Sequence, residues 1–285
     1  MLADNRCSRD NLMQMDPALL RAVIRERTHH TLEHPLYPII AGSMEPPSDL
    51  GASVRLMLDV WEKRGLDGNL PDILWAKTLV KMADQVASGK MPEVDGQRPR
   101  RFSETEEKTV EELIFRRRSI RHWTQENVPE WIICRVIEAG LWAPHACNLQ
   151  TVRFAVFDHR SDPRLLQCAE FSGHRAKIVV LQDIRAYEFF QASVPEKNRL
   201  MDCGAAVQNM LLMAHSLGLG AVWSTFTPRE IEMVNEWLNL PDHIVPRTYV
   251  ALGWPAQSVL PPAKIRVEDA VLSWPGKLEN AEGQL

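Results

Sequence analysis

The hydrophobic pattern of this 285-residue chain changes period at about residue 117, and that change constrains the fold more than any single motif. Before it, apolar residues recur only at helical spacing; beyond it, helical stretches alternate with short β-branched runs. Asp16-Pro17 supplies an N-cap followed by Pro at the first helical position, and Leu19, Leu20, Val23 and Ile24 form a stripe that Pro35 is expected to stop. Ser48 is expected to cap a second helix carrying Leu50, Val54, Leu58 and Trp61, with Gly65 ending it; a third runs from Pro71 through Leu79 and Ala83 to Gly89. Residues 90–102, with Pro92, Gly96, Pro99 and three arginines, read as a linker. Ser103-Glu104-Thr105-Glu106 has the Ser-x-x-Glu form of a capping box and opens a fourth helix to about Arg117.

After that point Val128-Pro129-Glu130 starts a helix through Ile133, Val136, Ile137 and Leu141. Strands are predicted over 152–157, 177–182, 220–226 and 247–252. Between the second and third lies a long helix over 198–217, with a stripe of Leu200, Cys203, Ala206, Val207, Met210, Leu211 and Ala214 and with Gly218 placed to close it. The layout is α+β, with an all-helical extension and linker over 1–102 and a mixed unit over 103–285.

Apolar residues make up 45% of the chain and charged residues 25%, enough to bury a sizeable core. A formal charge of −4 gives no global basic field for nucleic acid or an anionic membrane. The N-terminus lacks the apolar centre of a signal peptide, and the run Ile178-Val179-Val180-Leu181 is far short of the ~20 residues that cross a bilayer. Five scattered cysteines without a Cys-x-x-Cys pair exclude zinc ribbons and fit free thiols in a reducing cytoplasm.

Two local features carry chemistry. Arg116-Arg117-Arg118-Ser119-Ile120-Arg121 sets four guanidiniums and a hydroxyl at a helix-to-loop transition, a donor set suited to a phosphate monoester, although a bare charge run is more often a solvated face. Ala143-Pro144-His145-Ala146-Cys147-Asn148-Leu149-Gln150 offers neighbouring amides to the edge of a planar heterocycle, or forms an ordinary turn.

In this order and spacing the two features resemble the nitroreductase family of FMN flavoproteins. Arg117, Ser119 and Arg121 match its Arg-x-Ser-x-Arg/Lys element, and Ala143, Pro144, Asn148 and Gln150 its Ala-Pro-Ser-x-x-Asn-x-Gln loop. The likeness continues through Asp202–Asn209, Gly218–Trp223, Leu240-Pro241 and Ala251–Pro255, covering roughly residues 108–270. It implies a nitroreductase-like fold, a central mainly antiparallel sheet flanked by helices, assembled as a homodimer with flavin sites at the subunit interface. Arg117, Arg118, Ser119 and Arg121 would hold the FMN phosphate and ribityl chain, with Lys264 and Arg266 closing from the C-terminal side. Pro144, His145, Ala146 and Asn148 would reach the flavin bound mainly by the other subunit, Gln150 would sit beside the ring, and the backbone around Thr225 would meet its edge. Hydride from NADH or NADPH would pass to flavin N5 and on to a small organic acceptor by ping-pong turnover, with no side chain as an obligatory catalytic group. His145 stands where the family has Ser, and Thr151-Val152 where it commonly has Pro-Trp; these departures leave room for a dehydrogenase or oxidase of one biosynthetic intermediate, or for a non-catalytic scaffold that has lost flavin. Tyr187, Phe189 and Phe190 would either lid the flavin or pack in the core.

His30-Thr31-Leu32-Glu33-His34 spells the inverted zinc-protease motif. With Pro35 expected to end the helix at once and no third ligand in view, the expectation is that no metal binds.

Overall fold

A computed structural model describes residues 5–94, 98–167, 171–191, 194–195 and 197–273; Gly96 and Cys168 lie outside the described residues. The extension folds as α1 (Arg9–Gln14), α2 (Pro17–Thr28), α3 (His34–Ile40), α4 (Ala52–Lys63) and α5 (Pro71–Ala87). Asp16 caps α2 as expected, its carboxylate accepting from the amides of Ala18 and Leu19. Pro35 does not stop the chain. A π turn, His29–Glu33, joins α2 to α3, and Pro35 sits in the first turn of α3. Proline breaks a helix by lacking a donor and by pressing its ring on the carbonyl four residues back; the wider π turn eases that approach, and the first turn of a helix needs no donor. Ser48 is likewise not the cap of α4: Gly51 holds that place in the left-handed region, at φ 80°.

These helices do not form a core of their own. Leu20, Ile24, Leu32, Leu36, Val54, Met57, Trp61, Ile73 and Leu79 share one buried cluster with Leu149, Ala186, Tyr187, Phe190 and Val194 from beyond residue 140. Tyr187 and Phe190 are thus core residues, while Trp75 and Phe189 pack at its margin.

After α6 (Glu104–Arg116), whose capping box forms as expected, come α7 (Glu130–Leu141), β1 (Val152–Asp158), β2 (Ala176–Asp183), α8 (Arg185–Phe189), α9 (Asn198–Ser216), β3 (Gly220–Ser224), α10 (Pro228–Leu238), β4 (Ile244–Gly253) and α11 (Val267–Ala270). The strands make an antiparallel sheet in the order β1-β2-β4-β3. Side chains alternate across it with period two. Ile178, Val180, Val250 and Leu252 face α7 and α9 with Ile133, Val136, Ala206, Val207 and Met210; Val179, Leu181, Tyr249 and Ala251 face the opposite layer with Ile120, Phe157 and Val234. Pro246 lies opposite Leu181, where the β2–β4 register shifts, so its missing donor falls at an irregularity. The predicted strands and long helix are all present, and Gly218 closes α9 at φ 79°.

Two features point outward. α6 buries none of its 13 residues, although Val110, Ile114 and Phe115 are apolar. An isolated helix of this length is marginal in water without a packed face. Every residue from Pro255 to Ser273 is exposed, Leu260, Ile265, Val267 and Leu272 among them.

Candidate functional site

The segment after α6 is pinned to the start of β3. Ser119 forms a parallel bridge with Ala221, the Ile120 amide donates to the Ala221 carbonyl at 3.2 Å, and the Trp123 indole donates to Gly220 O at 2.8 Å. Any side chain at Gly220 would meet Ile120 at 2.7 Å, so only glycine admits the approach. This fixes Arg117, Arg118 and Ser119, all half-buried, at one edge of the sheet, with Arg121 exposed beside them. Arg118 donates to the carbonyls of Phe115 and Arg117, capping the end of α6. Among the described residues no carboxylate pairs with Arg117, Arg118 or Arg121. Burial, then the neighbouring Arg118, lowers the Arg117 pKa, and burial followed by Arg117, Arg118 and Arg116 lowers that of His215 near the end of α9. Like charges held together without a counter-charge give a donor set suited to an anion.

The 143–150 loop lies at the other end of α9. Asp202, in the first turns of that helix, accepts from the Ala146 amide at 3.1 Å and from the Tyr187 hydroxyl. Burial, then Asp202, pushes the Tyr187 pKa up, so the phenol stays protonated and donates. His145 turns inward, its side chain 4% exposed and its Nδ1 3.6 Å from Asp202. Cys147, Asn148 and Gln150 all adopt positive φ, at 51°, 53° and 48°. Such conformations in non-glycine residues cost on the order of 1–3 kcal/mol each and persist only where their surroundings impose them. The surroundings are visible: Gln150 Nε2 donates to Asn148 Oδ1 at 2.8 Å, and the buried Arg25 of the extension donates to Leu149 O at 2.7 Å. Pro144 and Gln150 remain exposed at the rim.

Thr225 follows β3 and is exposed, next to Ser224, whose carbonyl accepts from Thr248 at 2.6 Å. Lys264 and Arg266 lie on the exposed C-terminal segment, and Arg266 forks onto Asp269. Thiolate chemistry finds no support: burial raises the Cys147 pKa, and burial pushes Cys203 up to about 12. Asp202 and Arg25 are not singled out for the site by the sequence, and Tyr187 only as a lid or core residue; a carboxylate opening an otherwise apolar helical stripe is the available signal for Asp202.

Asp202 and His215 are thirteen residues apart on α9, about 20 Å at ~1.5 Å per residue. Within one chain, the arginine segment and the 143–150 loop therefore do not meet.

The Nitroreductase family model matches residues 114–173 and 164–254. A protein of Archaeoglobus fulgidus named as an NADH dehydrogenase/NAD(P)H nitroreductase is 33% identical over 150 residues, 50% of this chain and 83% of its own. A crystal structure named in the same way, from Parabacteroides distasonis, is 32% identical with a TM-score of 0.50, covering 58% of this chain and 99% of that one. A nitroreductase from Desulfovibrio desulfuricans, solved in complex with FMN, is also 32% identical, with a TM-score of 0.51 and 96% of its chain covered. The chain belongs to the nitroreductase family.

Proposed function

We propose that this protein is an FMN-dependent NAD(P)H oxidoreductase working as a homodimer, with each flavin held between the arginine segment of one copy and the 143–150 loop of the other. The observation that carries the reading is the separation of these two elements along α9. A second copy related by a two-fold axis can bring together what one copy keeps apart. The unburied apolar face of α6, Trp142 at 80% exposed and the unpacked C-terminal segment fit such a partner. The FMN complex among the relatives, and their NAD(P)H names, support the cofactor and the donor.

The residues fit the cofactor by their donor chemistry. Arg117, Arg118, Ser119 and Arg121 supply an uncompensated cationic set to a phosphate, and Lys264 and Arg266 add basic residues on the exposed C-terminal segment. FMN, when bound, would supply the redox chemistry of a ping-pong turnover between NADH or NADPH and a small organic acceptor. Pro144, His145, Ala146, Asn148 and Gln150, in a backbone held rigid by Asp202 and Arg25, orient the ring and exclude water, and Thr225 borders its edge. No side chain is assigned an obligatory proton transfer. Residues 1–102 act as an extension supporting this loop, residues 103–285 as the flavin-binding unit, and the free thiols suit a reducing cytoplasm.

The test is direct. Purified protein mixed with FMN should retain the yellow chromophore through gel filtration at one flavin per chain, and NADH or NADPH should bleach it anaerobically. A preparation that retains no flavin, or a flavin that neither nucleotide reduces, ends the proposal.

A further inference from the structure

The His-x-x-Glu-His motif is the sequence feature that the flavin reading leaves unused. The expectation of no metal there rested on Pro35 ending the helix, and the helix continues through a π turn instead. In a regular α-helix, at about 100° per residue, His34 would stand about 140° round from His29. The π turn rotates less per residue and so brings His34 between His29 and His30. The three rings stand edge to face with centroids 4.3, 4.9 and 5.4 Å apart, and one ligand nitrogen from each lies within 4.8 Å of the others. We infer that His29, His30 and His34 form a three-imidazole site for a zinc-class divalent ion, opening on a cleft of the extension.

Outer carboxylates are already placed. Glu33 lies 2.7 Å from His29 Nδ1; a carboxylate only accepts, so Nδ1 donates to it and Nε2 is the nitrogen placed for a metal. Glu26 faces His30 Nε2 at 3.9 Å, beyond hydrogen-bond reach, and adds negative charge beside the cluster. Arg27, the nearby cation, is paired with Glu26 at 2.8 Å.

Imidazole suits zinc, copper, nickel and iron, and three histidines with an open position is a metal-activating arrangement. His30 and His34 line a cleft of about 770 Å³ with Thr31, Glu45, Asp49 and Ser53, so the remaining coordination positions face water and any oxygen ligand the cleft admits. A tetrahedral ion at ~2.0–2.1 Å needs nitrogens roughly 3.3 Å apart. The rings that would have to close from the present spacing are half-exposed or exposed, so neighbouring core atoms do not lock them.

The experiment uses the untagged full chain, stripped with chelator and dialysed against Zn²⁺, with binding and melting temperature both read. One Zn²⁺ per chain and a raised melting temperature are expected, both lost in a His30→Ala/His34→Ala double variant, with Glu33→Gln weakening affinity about tenfold. X-ray absorption of the zinc-loaded wild type, which needs no variant, should show three imidazoles around the metal. Absence of stoichiometric binding, fewer imidazoles in that spectrum, or undiminished binding by the folded double variant would overturn the assignment. Flavin content is irrelevant to all three readouts, so this site and the flavin site stand or fall separately.

Discussion

Asp72 is the residue whose loss should expose how the extension is tied to the rest. It accepts from Arg21 at 2.9 and 3.0 Å and from Arg25 at 2.6 Å, and it is buried with Arg25, which is 4% exposed. Asp72→Asn keeps the shape and removes the charge. Two unit charges about 4 Å apart at an effective dielectric of 20 attract by about 4 kcal/mol. Arg21 is a third exposed and can turn to water; Arg25 cannot, so its guanidinium is left charged and uncompensated. Burial lowers the Arg25 pKa to about 10, with Asp72 opposing, which still leaves it protonated at neutral pH. Breaking a buried pair on one side costs about 3–5 kcal/mol, and that is the loss expected in urea unfolding followed by circular dichroism. Replacing both partners, Arg25→Met with Asp72→Leu, should recover about half of it, leaving a deficit of about 1–3 kcal/mol from the unmet Leu149 carbonyl. Burial raises the Asp72 pKa, but the two arginines outweigh it and the net shift is downward. Its contribution is therefore present above the ordinary aspartate pKa and is lost as pH falls through the folded one. A loss under about 1 kcal/mol in Asp72→Asn, or a double variant no better than the single, would refute the reasoning.

Arg117→Ala should weaken FMN binding by about 10–100-fold, the ~1.5–3 kcal/mol of a hydrogen bond to a charged group, measured by fluorescence titration; unchanged affinity removes Arg117 from the phosphate site. Phe115→Glu with Trp142→Glu places charge on the exposed apolar surface and should convert a dimer to monomers in sedimentation, with flavin lost in parallel; a flavin-loaded monomer contradicts the shared site. His174, buried against Trp123 and Phe171, has its pKa lowered to about 4, first by burial and then by Lys177. The unfolded chain, at about 6.5, takes the proton first, so up to about 3 kcal/mol of stability present above pH 6.5 should drain away toward pH 4. His174→Leu should flatten that part of the stability profile, and an unchanged slope would show that His174 does not titrate with unfolding.

The elements were legible where local chemistry decides them. Asp16 and Ser103 announce their helices because capping is satisfied within four residues, and the sheet follows from short β-branched apolar runs such as Ile178–Leu181, buried on both faces. The misses arise where a distant or unusual partner changes a local rule. Pro35 reads as a stop unless the preceding turn is known to widen, and nothing in the local pattern signals a π turn. Ser48 looks like a cap, but Gly51, free to take a left-handed conformation, sits closer to the helix it begins. The arginine segment and the 143–150 loop were recognisable as motifs; that α9 holds them about 20 Å apart follows only from the fold.

That separation changes what the extension is for. In the proposed dimer, a loop that meets the partner's flavin could not rely on that flavin to hold its shape before assembly. Its left-handed residues must be stabilised from within the chain. Asp202 and Tyr187 do so from one side, and Arg25, itself held by Asp72 of α5, does so from the other. The π turn and α2 pack directly on the Ala146–Asn148 turn, and Cys147 feels the charges of Glu26 and Arg27. The extension is thus part of the wall behind the loop. Changes in its buried ion pair should reach the flavin site through the backbone of Leu149, without any extension residue touching the cofactor.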